Sequence, residues 1–207
     1  MKKLLVKVIF LAILILFFNF FCSLEEINPI FISSFEKVRE NEYNIILSNV
    51  ILIREIKLNK IKIGKKEITE LELPSYKSST GREYPQIKIL SDKLYQQILK
   101  TLVEEKIENI VGDVGYPDFK INKFISNHNK NSKIKINASV VFGDSVEVEC
   151  KIMEDTSNNI IVLWPSQKIN KTNKWIKLIE FISPTYQKFI EKQLIHRYKV
   201  YKLEKGI

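Results

Sequence analysis

The sequence predicts an α+β protein of two tandem repeats, each an antiparallel sheet followed by a C-terminal helix, packed as an intramolecular pseudo-dimer. Three observations favour this: clusters of β-branched residues, helical spacing after each cluster, and one segment that recurs 91 positions further along. At that offset residues 73–77 (LPSYK) superpose on 164–168 (WPSQK), and Tyr84 superposes on Trp175. The same gap-free offset superposes residues 95–96 on 186–187. Several matches at one offset indicate a duplication, and two copies in one chain can pack as a homodimer does.

Composition and charge set outer limits on function. The chain has 207 residues, of which 45% are hydrophobic and 28% charged, so it can bury a sizeable core and is not disordered. Its net charge is +9, and residues 1–22 contain three lysines and no acid, which leaves +6 on the remainder. A basic body of this kind suits nucleic acid, anionic lipid or an anionic wall polymer equally well.

Residues 1–22 are predicted to be a signal peptide or membrane anchor. Three lysines precede an apolar run at 8–18, as in an export signal. Cys22 stands where a lipoprotein would be cleaved and lipidated, although Phe21 occupies the position that usually holds a small residue. If uncleaved, residues 8–24 are about long enough to span a bilayer. Cleavage, lipidation and a retained anchor stay open, and each takes the protein to the membrane or envelope with its body outside the cytoplasm. The alternative is a strongly apolar first helix of a soluble domain, although such helices normally have a polar face.

The first repeat is predicted to occupy residues 30–111. Its β-branched clusters indicate three or four antiparallel strands with a short turn at Gly64, and a polar loop follows Pro74. A helix then begins after the N-cap Ser91 and runs until Gly112 ends it. The strands are predicted at 43–47, 50–53, 56–63 and 68–73, with a brief extended piece at 87–89, and the apolar face of the helix contains Leu94, Ile98, Leu102, Ile107 and Ile110.

The second repeat, residues 118–207, follows the same plan. Ser183 is the predicted N-cap of its helix and Pro184 the first helical residue. Cys150 continues the alternation of a strand and is expected to be a buried thiol without a disulfide partner in the body. The strands are predicted near 119–125, 134–142, 146–153 and 160–164, and Phe189, Ile190, Leu194 and Tyr198 are predicted to face the sheet.

These features resemble the stage V sporulation protein G family, also called the septation protein family. Its members have a run of strands, a last strand ending in Met-Pro-Ser and two basic residues, a polar loop with glycine, an aromatic residue and a C-terminal helix. The second repeat is the more similar one, through the strand at 160–164, the turn at 165–168, Trp175 and the helix after Ser183. The first repeat matches through residues 73–77 and, further along, through Gly81, Tyr84 and the helix after Ser91.

The resemblance implies a dimerising α+β unit that binds DNA or RNA, takes part in septation and sporulation, and is not catalytic. Lys77 and Lys168 would be a matched pair of phosphate contacts, although each repeat keeps only one of the two adjacent basic residues of the family. Arg82 in the first loop, and Lys171 and Lys174 in the second, supply positive charge nearby. The alternative is that the two Pro-Ser segments, residues 74–75 and 165–166, have a purely structural role, because proline ends sheet pairing and serine caps the turn.

The last helix is the stronger basic feature. Lys188, Lys192 and His196 recur every four residues, which would align cations for phosphate, and Arg197 adds a further charge. Tyr198 and Tyr201 are near enough to stack on bases. The alternative is a solvated helix end, where positive residues also favour the helix dipole.

No enzyme, cofactor or metal site is expected. The two histidines show no metal-ligand spacing, and no glycine-rich phosphate loop follows a strand. A serine–lysine hydrolase from Ser75 with Lys77, or Ser166 with Lys168, is not expected, because residues two apart at a turn should point in different directions and the lysine would need strong burial to act as a base.

Two functions therefore stay open. The first is nucleic-acid binding in septation control. The second is an envelope-anchored module that binds an envelope protein or an anionic polymer and has lost nucleic-acid binding.

Overall fold

The computed structural model describes residues 30–64, 66–78, 80–107, 115–129, 131–169 and 173–206. Within these residues it is an α+β fold of antiparallel sheets and two helices, so the predicted fold class is confirmed. The predicted N-terminal targeting segment, its Cys22, and the candidate contact Lys171 lie outside the described residues.

The first sheet is built mainly from the first half of the chain. Its strands pair consecutively, and a three-residue turn at residues 48–50 joins the second strand to the third; its first two residues, Ser48 and Asn49, have positive φ. The third strand is one element where the sequence predicted two, because a bulge at Glu55 (φ 62°) adds one residue without ending the pairing. The strands are β1 (Ile32–Arg39), β2 (Glu42–Leu47), β3 (Ile51–Ile63) and β4 (Lys66–Glu72).

Two short hairpin strands and one short sheet strand follow before the first helix. Where a polar loop was predicted, β5 (Ser75–Lys77) pairs antiparallel with β6 (Glu83–Pro85). The brief extended piece predicted at 87–89 is confirmed as β7 (Ile87–Ile89).

The first helix, α1 (Asp92–Glu104), begins where predicted and ends earlier. The Ser91 Oγ accepts the Leu94 N–H at 3.3 Å, which confirms the N-cap. The helix was predicted to reach Gly112, but Glu105 is left-handed (φ 49°) and the Lys106 N–H closes the last turn on the Thr101 carbonyl at 3.1 Å.

The second sheet is built mainly from the second half, and its strands match the predicted ones to within one residue. A three-residue turn at residues 143–145 joins its second and third strands, and its first two residues, Gly143 and Asp144, have positive φ. The apolar alternation that predicted the third strand gives a buried face at Val146, Val148 and Cys150. The strands are β8 (Phe119–Ser126), β9 (Ile134–Phe142), β10 (Val146–Glu154) and β11 (Ile160–Leu163).

A second hairpin and a short strand then lead to the last helix. The hairpin strands are β12 (Ser166–Ile169) and β13 (Lys174–Lys177), and the next strand is β14 (Ile179–Phe181). In the first hairpin Ser75 pairs with Pro85, and in the second Ser166 pairs with Lys177, so the offset grows from 91 to 92 residues inside the loop. The gap-free offset is therefore wrong beyond this loop.

The last helix, α2 (Pro184–Lys205), is capped at both ends. The Ser183 Oγ accepts the Tyr186 N–H at 3.3 Å, and Gly206 ends the helix with a φ of 65°. Ile190, Leu194 and Tyr198 are buried as predicted, whereas Phe189 is half exposed at the edge of the packed face.

Each sheet contains one strand from the opposite half of the chain. β7 pairs with β10 through Val146 and Ile89, while β14 pairs with β3 through Ile51 and Phe181. One hydrophobic core therefore includes buried residues of both halves and of both helices.

Candidate nucleic-acid interface

The solvent-facing side of α2 carries a row of cations. Lys188, Lys192 and His196 lie one helical turn apart and are all exposed, because the buried residues occupy the opposite side. Lys199 is exposed on the same side, and the row from Lys188 to Lys199 spans about 16 Å at the helical rise. Within the described part of the chain, none of these three lysines has an ion-pair partner, so their charge faces solvent unneutralised.

Tyr198 and Tyr201 do not join this row, which corrects the prediction that they stack on bases. Tyr198 is buried and donates its hydroxyl to Glu154 at 2.9 Å. Burial, and then the hydrogen bond to Glu154, raise the pKa of Tyr198. Tyr201 packs edge-on against Phe124 at 6.0 Å, and Lys202 forms an ion pair with Glu154 at 2.9 Å. These side chains hold α2 on the second sheet.

Arg197 is likewise turned away from the lysine row. Its guanidinium lies 4.8 Å from the Phe124 ring centre and donates to the Ile121 carbonyl at 3.2 Å. It lines an open groove of about 590 Å³ between α2 and the start of β8, with aromatic walls that include Tyr116 and Phe189. The predicted role of Arg197 in the basic face is therefore not supported by its position.

The hairpin of β12 and β13 presents a second basic surface. Lys168 and Trp175 are directly opposite one another across the hairpin and share one face, and Lys177 lies on that face too. All three are exposed, with Trp175 at 67%. Lys174 is also exposed and is at the start of β13. We call Lys168, Trp175 and Lys177 the outer face of the second hairpin.

The first hairpin is built alike but carries different side chains. Lys77 and Arg82 are exposed, yet Lys77 lies opposite Glu83, and the Arg82 guanidinium covers the Tyr84 ring at 5.2 Å. Tyr76 and Tyr84 are opposite one another on the other face. The predicted pair Lys77 and Lys168 thus occupies equivalent hairpin positions with different neighbours.

The proline–serine segments open the hairpins. Both prolines are buried, and their carbonyls accept the N–H groups of Gln86 at 3.1 Å and Leu178 at 2.8 Å. Because Ser75 and Lys77 belong to one strand, they share a face; the premise that they point in different directions is wrong. Lys77 and Lys168 are nevertheless exposed, which is not the environment of a lysine base.

Two side chains of these candidate basic surfaces were not singled out from the sequence. Lys177 and Lys199 complete the hairpin face and the helical row, and strand alternation and helical periodicity could have found them. Trp175 was noted only as a match within the repeat and as the aromatic residue of the family resemblance. Its place opposite Lys168 depends on the extra residue in the loop, which no periodic pattern reveals.

No metal-binding group of three or more His, Cys, Asp or Glu residues occurs within the residues described. Neither of the two described helices is long and apolar enough to cross a membrane. Comparisons with protein-family models, with curated proteins and with solved structures found no match.

Proposed function

We propose that this chain is a non-enzymatic nucleic-acid-binding protein of the stage V sporulation protein G type, acting in septation or sporulation. The observation that carries the proposal is the unneutralised row of Lys188, Lys192 and Lys199 on the exposed side of α2. Lysines placed along a rigid helix neutralise several phosphates at once, and this sequence-independent contact supplies most of the affinity for nucleic acid. The outer face of the second hairpin adds further positive charge.

We also propose that the body is a tandem duplication folded as an intramolecular pseudo-dimer. Equal strand orders in the two sheets support it: β1-β2-β3 with β14 and β4 on β3, and β8-β9-β10 with β7 and β11 on β10. Hydrogen bonds between the halves recur in matched pairs. In the first pair, the Leu90 N–H donates to the Ser145 carbonyl (2.7 Å) and the Ile182 N–H donates to the Val50 carbonyl (2.8 Å). In the second pair, the Glu149 N–H donates to the Gln86 carbonyl (2.9 Å) and the Arg54 N–H donates to the Leu178 carbonyl (2.9 Å).

In this pseudo-dimer the second copy supplies the binding surface. Residues 166–177 contain four lysines and no acid, whereas the first hairpin pairs Lys77 with Glu83. The same contrast holds for the helices, because α1 contains acids among its lysines and begins with Asp92. One copy therefore serves mainly to complete the fold, and the other binds.

The salt dependence of binding tests the proposal. The full-length chain in nonionic detergent should bind labelled DNA and RNA, with affinity falling linearly in log–log form as salt rises. Replacing Lys188, Lys192 and Lys199 together by Ala should reduce the magnitude of the slope by about 2 to 3, since each phosphate contact contributes about 0.7 to 0.9. The matched control replaces the exposed Lys62, Lys66 and Lys93, which removes equal charge elsewhere and should leave the slope unchanged. Salt-insensitive binding, or an equal loss in both variants, would contradict it.

A second candidate is an envelope-anchored interaction module. The observation that favours it is an exposed apolar face on the hairpin of β3 and β4, where Ile61 (40% exposed), Ile63 (59%) and Ile68 (40%) share one side. Together with the N-terminal targeting segment, such a face suits an envelope protein as partner.

Membrane topology separates the two candidates. A reporter fused after Ile207 that is active only outside the cytoplasm, checked by protease protection, locates the body. A cytoplasmic body supports a membrane-tethered nucleic-acid binder, whereas an external one leaves an envelope protein or anionic polymer as the partner.

A further inference from the structure

The orientation of the second hairpin is fixed by its inner face. The Gln167 side-chain amide hydrogen-bonds to the Glu55 carboxylate on β3, and Ile176 is half-buried beside it. Because neighbours along a strand point to opposite faces, Lys168, Trp175 and Lys177 are directed to solvent. The exposed position of Trp175 therefore follows from the strand geometry of the hairpin and not only from the rotamer of its side chain.

Trp175 is unusual among the large aromatic residues of this chain. It is 67% exposed, more than any other described aromatic side chain, and within the described residues its ring contacts no other aromatic ring and no cation. Trp164, by contrast, packs against Phe181 at 4.8 Å and donates to Glu191 at 2.9 Å. The indole of Trp175 is left available to a ligand.

The cations around Trp175 define the chemistry of that ligand. Lys168 is directly opposite the indole, Lys177 lies on the same face, and Lys174 precedes it, with no acid anywhere in residues 166–177. The surface thus favours a polyanion that also offers flat aromatic rings. Single-stranded nucleic acid has both, because its phosphates are negative and its bases expose their faces when unpaired.

Resting on the proposed nucleic-acid binding, we propose that the outer face of the second hairpin is a stacking platform for an unpaired base, so that the preferred ligand is single-stranded. Trp175 stacks on the base while Lys168 and Lys177 contact the flanking phosphates. In a duplex the bases stack on one another and are not accessible to an indole, so duplex DNA contacts only the lysines.

The first hairpin provides an internal comparison. Its equivalent face carries Lys77 and Glu83 and has no aromatic residue between them. Its two tyrosines face the other way, where the Lys151 ammonium lies 5.9 Å from the Tyr76 ring and Arg82 covers Tyr84. Among the described residues of the two hairpins, those of the second alone combine an aromatic ring without an aromatic or cationic neighbour with cations that lack an acidic partner on one face.

Fluorescence and affinity together test the platform in the full-length chain in nonionic detergent. The probes are a twelve-nucleotide oligo-dT, the matching oligo-U, and a mixed-sequence duplex of equal length. Either single strand should quench the Trp175 emission, and Trp175→Ala should weaken single-strand binding roughly 5- to 150-fold, the loss expected for a base-stacking aromatic residue. Duplex affinity should change less than about twofold, and Tyr84→Ala, the control on the first hairpin, should leave both affinities unchanged. A difference between oligo-dT and oligo-U would assign the strand to DNA or RNA.

The outcomes separate this inference from the proposed function. Equal affinity for single strand and duplex, unaffected by Trp175→Ala, overturns the platform but leaves phosphate binding by α2 intact. An emission blue shift with anionic phospholipid vesicles, without quenching by either oligonucleotide, overturns it in favour of a lipid surface. Absence of salt-dependent binding to all three probes overturns the proposed function and, with it, the platform.

Discussion

Glu147 is the described carboxylic acid whose pKa is most strongly shifted. It lies buried on β10, where it accepts hydrogen bonds from Ser139 (2.6 Å), Asn122 (2.9 Å) and Lys88 (2.9 Å). Burial opposes its charge, but the three hydrogen bonds together outweigh burial and lower the pKa of Glu147 to about 2. This carboxylate joins strands β7, β8, β9 and β10, and so belongs to the seam between the two halves.

The first prediction concerns the acid stability conferred by Glu147. Because its folded pKa is below its unfolded value near 4.5, the group stabilises the fold above pH 4.5, and this contribution is lost as pH falls toward 2. Its size is at most roughly 3 kcal/mol. Urea unfolding of wild type and Glu147→Gln between pH 2 and 7 should show free energies that differ at neutral pH and converge in acid. Parallel curves would contradict it, and exposed Glu67→Gln is the control.

The second prediction concerns the thiol of Cys150. Burial, and then the charges of Glu149 and Glu191, raise the pKa of Cys150 to about 12, so the thiol is both shielded and protonated at pH 8. In a Cys22→Ser background, Ellman's reagent should not react with the folded protein and should react fully in urea. Rapid labelling of the folded protein would show that β10 opens locally.

For individual residues, the sequence predicted burial more accurately than it predicted contacts between side chains and other elements. The alternation around Cys150 and the helical register of Tyr198 gave their inward positions correctly. That register also excludes base stacking by Tyr198, because a side chain packed against the sheet is not accessible to a base. The bond from Arg197 to Ile121 could not be predicted, since it depends on how α2 crosses β8.

The helix caps allow a comparison of two equivalent elements. Ser91 and Ser183 each accept an N–H of the first turn at 3.3 Å, but the Ser183 Oγ is also 2.8 Å from the Tyr116 hydroxyl. Ser183 therefore caps α2 and holds the segment that leads into β8.

The third prediction follows from these caps. Ser91→Ala should lower the free energy of unfolding by about 1 kcal/mol, and Ser183→Ala should lower it by more, because a second hydrogen bond is lost. Tyr116→Phe removes the hydroxyl that contacts Ser183, so in its background the cost of Ser183→Ala should approach that of Ser91→Ala. Chemical unfolding measures all three, and equal losses for the two serines would show that the Tyr116 contact adds nothing.

Elements with strong patterns were predicted and short polar ones were not. The strands of the second sheet were placed to within one residue because β-branched side chains alternate along them. β1 was missed because five of its eight side chains are polar and Ile32 alone is buried. The hairpin strands were missed because three or four residues are too few to show a period. In such elements pairing with a neighbour, rather than local preference, decides the structure.

For the whole molecule, the exchange of β7 and β14 couples the two halves. Ile87 of β7 pairs with Val148 and Ile179 of β14 pairs with Ile53, and all four side chains are buried in the shared core. No sequence pattern specifies this, because a three-residue strand can pair with any sheet edge within reach. The internal repeat predicted that the halves pack together without showing how.

The fourth prediction tests that coupling. Ile87→Ala and Ile179→Ala should each cost about 2 to 5 kcal/mol, and their costs should be similar because the positions are equivalent in the proposed duplication. Each variant should unfold in one transition and lose amide-exchange protection in both sheets. Two separate transitions, or a loss confined to one sheet, would show independent halves.

The most direct test of the account is to map nucleic acid on the protein. Amide chemical shifts of the ¹⁵N-labelled full-length chain in detergent would be followed as an unlabelled single-stranded oligonucleotide is added. We expect the perturbed amides to concentrate at Lys168 and Trp175 on the second hairpin and at Lys188, Lys192 and Lys199 on α2, and the perturbations to shrink at high salt. Unchanged spectra, or changes confined to the first half of the chain, would contradict it.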